Sequence, residues 1–324
     1  MNNFKKIGLT ALASSLVATS VYAGEMSVSG SASWRISNHA GTDGGKTMAM
    51  GNQLTFTGGG EMDNGMNVSL SFILDQGDDH PATAASIANN EARGDSSPFD
   101  SHSISISSDA MGSVTFAGEG ASSAQNTIDT TAAGDIWDNT FASYTKPTNA
   151  SANKVLTWTL PELMDGLNVV TSYNMSSAGE EATIGYALTY TGVEGLSVSY
   201  GMGEKGSTTA GAGGIEIQTM KASFAFGPVT AAMSINDYDI SVESNEEQSS
   251  YKISYSVSDE LSVSYGSETH ETTGQSTDEE FDQISVSYTT GGLTASVSQT
   301  NADNVTTATN TEQTKWNVGL SFAF

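Results

Sequence analysis

Apolar side chains recur at every second position through most of this chain, in runs of about ten residues broken by Gly-, Asn- and Asp-rich segments. The clearest run closes the sequence. From Lys315 to Phe324, Trp316, Val318, Leu320, Phe322 and Phe324 alternate with Lys315, Asn317, Gly319, Ser321 and Ala323. A β-strand sends successive side chains to opposite faces, so one face of this run is apolar and the other small or polar. The opening run, Glu25 to Ile36, repeats the pattern: Met26, Val28, Ala32, Trp34 and Ile36 share a face, and Ser27, Ser29, Ser31, Ser33 and Arg35 share the other.

Between these ends the same grammar predicts strands at 52–61 and 66–75 around Asp63-Asn64-Gly65, and at 101–109 and 113–119 around Ala110-Met111-Gly112. Asn-Gly between alternating runs is a strong hairpin signal. Further pairs fall at 154–160 with 167–175, 182–190 with 196–203, and 215–226 with 229–237. Two more are 249–257 with 261–268, and 281–289 with 293–300. About sixteen strands result, joined alternately by short turns and by long polar segments. The long segments are 37–51, 76–100, 120–153, 176–181, 204–214, 238–248, 269–280 and 301–314. Strands of about ten residues suit a tilted crossing of a bilayer, and pairing the last strand with the first removes both open edges. The predicted fold is all-β: a transmembrane antiparallel up-and-down barrel forming one domain over residues 24–324. Tyr190, Phe226, Tyr255, Tyr288 and Phe322 lie near the short-turn rim, where they form an aromatic girdle.

The basic residues obey the same parity. Arg35, Lys221, Lys252 and Lys315 each sit opposite the apolar face of their strand. A cation at mid-bilayer on the lipid face costs roughly 2–4 kcal/mol, and a water-filled lumen avoids that cost. Lys154 shares parity with Leu156, Trp158 and Leu160, but at the start of a strand it can reach the headgroups. A soluble sandwich would also collect lysines on its solvent face, so parity alone does not choose between the two.

Composition narrows the class. The 324 residues include no Cys, which excludes thiolate metal sites, thiol catalysis and a disulfide scaffold. Lys5 and Lys6, the mostly apolar stretch Ile7 to Val17, and Val21-Tyr22-Ala23 read as a cleaved export signal over residues 1–23. Nine basic residues then remain against 37 acidic ones, a balance that disfavours nucleic acid and favours cations near the surface. Acidic loops that serve only solubility are the simpler reading of the same charge.

At this point the chain resembles the general Gram-negative porins. Asn52 to Glu61 running into Asp63-Asn64-Gly65 is similar to that family's second strand and its turn. Met111 to Gly118 resembles the fifth strand entering the constriction loop, and Thr157-Trp158-Thr159-Leu160-Pro161 with Gly166-Leu167 resembles the hairpin that follows it. The terminal Phe324 matches the residue that, in that family, the barrel-assembly machinery reads. The resemblance implies a sixteen-stranded barrel, a homotrimer, and a third loop folded into the lumen, here about Gly120 to Thr140. Glu119, Asp129, Asp135 and Asp138 would then line the narrowest part of the pore, with Arg35 on the facing wall. The chain departs from the enteric pattern, whose facing strands carry several arginines. Here Ser29, Gln53, Ser69 and Ser105 stand at inward positions, and the Pro-Glu-Phe-Gly run of the third loop is missing. A polar wall with mainly negative fixed charge is the expectation.

Other chemistry is sparse. Asp75, Asp78, Asp79 and His80 could hold calcium or magnesium, although a solvated acidic loop is the simpler reading of them. In the resembling family, loop carboxylates can share divalent ions with lipopolysaccharide. Gly45-Lys46-Thr47 lacks the rest of a phosphate-binding loop. His39, His80, His102 and His270 are scattered, and no nucleophile elbow is present. The expectation is therefore a passive, cation-preferring channel of the outer membrane, without cofactor or catalysis, for small hydrophilic solutes. A channel with a lumenal nutrient site remains the alternative, and a plugged adhesin barrel a third reading.

Overall fold

The computed structural model describes residues 26–38, 46–75, 99–120, 122–128, 130–138, 154–175, 182–205, 215–240, 245–305 and 312–324. In chain order the first eight strands are Met26–Asn38 (β1), Lys46–Glu61 (β2), Asn67–Asp75 (β3), Phe99–Ser108 (β4), Gly112–Glu119 (β5), Val155–Thr159 (β6), Leu167–Asn174 (β7) and Thr183–Val193 (β8). The second eight are Leu196–Lys205 (β9), Ile215–Phe226 (β10), Val229–Ile240 (β11), Glu246–Ser256 (β12), Leu261–Thr272 (β13), Glu279–Thr290 (β14), Leu293–Asp303 (β15) and Gln313–Ala323 (β16). Every strand pairs antiparallel with its sequence neighbours, and β16 pairs with β1 to close a sixteen-strand barrel. At the seam Gly30 and Phe324 exchange both backbone hydrogen bonds, at 2.8 and 3.0 Å. The terminal residue is therefore part of the closure.

The alternation read from sequence decides which side of the wall meets which medium. Met26, Val28, Met50, Leu70, Ile104, Phe116, Met220, Ile253, Ile284 and Phe322 all lie exposed on one parity. Register places Leu54 beside Leu74 and Phe56 beside Phe72, whose rings stack at 4.7 Å. No soluble protein leaves so continuous an apolar surface in water, and lipid is the solvent that fits it. Phe226, Tyr255, Tyr288 and Phe322 are exposed at the short-turn rim, and Trp158 there donates from its indole to the Met111 carbonyl at 2.8 Å. An aromatic ring with a polar handle suits this depth.

Several strands extend beyond their expected ends on the long-loop side. β2 begins at Lys46, β11 ends at Ile240, β13 ends at Thr272 and β14 begins at Glu279. On β11 to β14 the apolar alternation stops there while backbone pairing continues: Glu247 pairs with Asp237, Thr269 with Glu280 and Glu280 with Asp303. The barrel wall thus rises above its apolar belt on this side. Ladder hydrogen bonds, unlike greasy faces, do not require lipid.

Short-turn glycines reach backbone conformations other residues resist. Gly166 has φ 75°, and a Cβ there would lie 2.4 Å from the Gly192 nitrogen. Only glycine fits that approach.

Candidate functional site: a loop latched across the barrel lumen

Inside the barrel, residues 122–138 leave the end of β5 and lie against the inner wall. Two short 3-10 helices organise them, Gln125–Ile128 and Ile136–Asp138. A loop crossing a wall of β-strands needs partners for its backbone N–H groups, because secondary structure no longer supplies them. The wall provides several of them from one cross-strand row. Lys221, Ser234, Ser250 and Glu268 are successive register partners on β10, β11, β12 and β13, and the row continues to Phe281 and Ala302.

Each member of that row has a task. The Lys221 ammonium donates to the carbonyls of Thr130 at 2.8 Å and Thr131 at 3.3 Å. The Ser234 and Ser250 hydroxyls accept from the N–H groups of Ala132 and Ala133, both at 2.8 Å. One Glu268 carboxylate oxygen accepts from the Thr131 hydroxyl, and the other from the Trp137 N–H at 3.1 Å. Glu268 is 1% exposed, so its charge is stabilised by these donors rather than by water. Phe281 and Ala302 then pack with Ala133, Ile136, Trp137 and Val305 in a small apolar cluster within the lumen.

The preceding part of the loop is held in the same way. Ser172 on β7 accepts from the Ala124 N–H at 2.8 Å, and the Gln125 amide donates to Thr219 on β10 at 2.7 Å. Two inward glycines make room. A Cβ on Gly201 would come 2.6 Å from Ile128, and one on Gly266 would come 2.9 Å from the Ala133 Cβ.

A second buried row runs one step nearer the long loops: Thr219, Asn236, Gln248, His270 and Glu279. Asn236 donates to the Gln248 amide oxygen at 3.0 Å, the Gln248 nitrogen lies 3.0 Å from His270 Nε2, and His270 Nδ1 lies 4.0 Å from a Glu279 oxygen. His270 also meets Trp137 edge-on, with ring centroids 5.6 Å apart.

The opposite wall is of another kind. Ser27, Ser29, Ser31 and Ser33 on β1 stay exposed, whereas Thr219, Ser234 and Ser250 beneath the loop are buried. From β3 to β6 the inward register joins Ser69, Ser105, Thr115 and Thr157 in one line of hydroxyls. Ser105 and Thr115 are 2.7 Å apart. Space bounded by the loop and this wall is lined by groups that both donate and accept hydrogen bonds.

The expected site residues are not equivalent. Asp135 belongs to the loop, where one carboxylate oxygen accepts from the Thr131 N–H at 3.0 Å. Asp129 and the Asp138 side chain lie outside the described residues. Glu119 follows a register shift at the end of β5 that sets it opposite His102, the partner of outward Phe72. Arg35 pairs with Ala49 and Gly319 on the inner face and is half-buried. Lys252, between Ala232 and Gly266, is also half-buried, and Lys315 is fully buried beside Thr300. Asp75 stands at the end of β3, while Asp78, Asp79 and His80 lie outside the described residues. Among the described residues no three His, Asp or Glu side chains are grouped as a metal site.

Sequence reasoning missed the anchoring residues. Ser234, Ser250 and Glu268 have only inward parity to distinguish them, and His270 and Glu279 fell in an expected loop.

A closed barrel with a greasy exterior, a hydroxyl-bearing interior and a loop pinned across it defines a membrane channel. The chain belongs to the Gram-negative porin family, whose model matches residues 8–324. An anion-selective porin from Comamonas acidovorans superposes with a TM-score of 0.68 at 14% identity, covering 93% of this chain and all of the other. A variant of the Rh. blastica porin gives a TM-score of 0.65 at 14% identity, with 93% and 100% covered. No curated protein matches this chain. Family and fold together point to an integral outer-membrane channel for passive diffusion rather than an enzyme.

Proposed function

We propose that small hydrophilic solutes and ions pass between the latched loop and the hydroxyl-bearing wall of β1–β5, with cations favoured. The observation that carries this reading is the attachment of residues 124–137 to β7, β10, β11, β12 and β13, on one side of the lumen. Exclusion by size then follows from how far the loop projects, and hydroxyls replace part of a solute's hydration without holding it.

The charge preference rests on the excess of acidic residues and on loop aspartates at 129, 135 and 138. Glu119, opposite His102, contributes less directly than these three. Lys221 is engaged by loop carbonyls and Lys315 is buried, and among the described residues Arg35 and Lys252 are half-buried basic groups on the inner face. The anion selectivity named for the Comamonas acidovorans porin is a property of that protein, at 14% identity.

Removal of residues 1–23 on export, assembly through Phe324, trimerisation and contact with lipopolysaccharide belong to the same proposal. Reversal potentials across a potassium chloride gradient test the charge preference, and cation selectivity is expected. Anion selectivity would overturn it. Replacing Asp129, Asp135 and Asp138 together by Asn should weaken the preference, and an unchanged reversal potential would remove these residues from the constriction.

A further inference from the structure

The second buried row has a chemistry that pore lining does not require. Asn236, Gln248, His270 and Glu279 run across β11, β12, β13 and β14 directly beside the row that holds the loop. The direction of the first bond sets the rest. Asn236 donates to the Gln248 oxygen, so the Gln248 amide turns its N–H toward His270, whose Nε2 must accept. The ring proton of neutral His270 then sits on Nδ1, on the side of Glu279.

We propose that His270 is a proton-sensitive anchor of the constriction loop, acting through Trp137. A proton taken from lumenal water adds at Nε2 and turns that acceptor into a donor facing another donor. The Gln248 amide must rotate to present its oxygen, and Asn236 must answer. In exchange the imidazolium lies between carboxylates. Glu279 faces it from β14, and Glu268 lies two residues away on its own strand and holds the Trp137 N–H. Glu246 is the next inward residue on β12, Tyr238 is the titratable group on the same wall of β11, Lys221 and Lys252 lie one and two rows further down, and Asp135 stands on the loop. The charged ring also gains a cation–π contact with Trp137, whose centroid is 5.6 Å away. Acid therefore tightens the hold on the loop and alkali relaxes it. The gain is present below the histidine's titration and is lost as pH rises through it.

This inference rests on reading residues 122–138 as the constriction. The test is single-channel recording of the refolded chain between about pH 8 and about pH 5.5, the span in which histidine ordinarily titrates. Open-channel noise should fall by at least about twofold on acidification, the lower bound for a cation–π contact, because His270 is only 2% exposed. His270→Gln should abolish the step. Gln248→Glu offers the protonated ring an acceptor without rotation, so it should move the midpoint to higher pH. A second readout is Trp137 fluorescence, taken as the difference between the wild type and Trp137→Phe, which should follow the same midpoint. A step that persists in His270→Gln, or a midpoint unmoved by Gln248→Glu, overturns the proposal. If His270→Gln does not insert, Gln248→Glu and the fluorescence decide. Absence of any conductance would overturn the channel reading itself, which a pH-independent conductance would leave standing.

Discussion

Glu268 holds the loop at two points, and Glu268→Ala tests that hold. The substitution strips an acceptor from the buried Thr131 hydroxyl and another from the part-buried Trp137 N–H. A buried donor left without a partner costs about 1–3 kcal/mol and the part-buried one less, so the docked loop loses about 2–4 kcal/mol. The remaining attachments are not negligible. The hydroxyl and amide contacts from Ser172, Thr219, Ser234 and Ser250 each contribute about 0.5–1.5 kcal/mol, and the solvent-screened Lys221 bond about 1 kcal/mol or less. The loop should therefore loosen without leaving the wall for good. A loss of about 2 kcal/mol raises the undocked population roughly 30-fold, and larger losses raise it further. Single-channel recording in planar bilayers reads this as more frequent excursions to a second conductance level and as excess open-channel noise. Traces indistinguishable from the wild type would refute the anchoring role.

Two further substitutions probe the same latch from other directions. Lys221→Met removes the bond to the Thr130 and Thr131 carbonyls, so it should raise noise with little change in reversal potential, and Lys221→Arg should restore quiet recordings. Gly266→Val acts oppositely. The added side chain meets the Ala133 Cβ and Cα, pushes the loop off the wall and into the channel, and should lower single-channel conductance; an equal or larger conductance would contradict the packing.

The barrel was legible because one signal repeats throughout it. Lipid demands an apolar residue at every second position, and Trp316 to Phe324 or Met26 to Ile36 cannot satisfy that demand in another register without turning polar groups outward. Short turns such as Asp63-Asn64-Gly65 completed the pattern, and the parity of Arg35, Lys221, Lys252 and Lys315 agreed with it. Strand ends on the long-loop side were not legible. There the wall leaves the apolar belt, and Glu247, Thr269 and Glu280 continue the ladder with no hydrophobic period to reveal it.

The site divided in the same manner. That a loop after β5 enters the lumen came from the family resemblance, and acidic residues drew attention within it. Its anchors are mostly Ser and Thr on strands far away in sequence, in a chain where such residues are common. Only register aligns Lys221, Ser234, Ser250 and Glu268 into one row, and register depends on pairing between strands rather than on any local pattern. Glu119 illustrates the converse. Simple alternation carries it inward, while the irregularity between β4 and β5 sets it opposite His102.

The central claim is that adjacent residues of one strand face different solvents, and a natural absence of cysteine makes it directly measurable. Single cysteines at Ser71 and Leu70 would be exposed to a bulky, charged, water-soluble thiol reagent during single-channel recording. The Ser71→Cys channel should show stepwise, irreversible loss of current, and the Leu70→Cys channel should be unaffected. Equal block of both, or block of Leu70→Cys alone, would contradict the account.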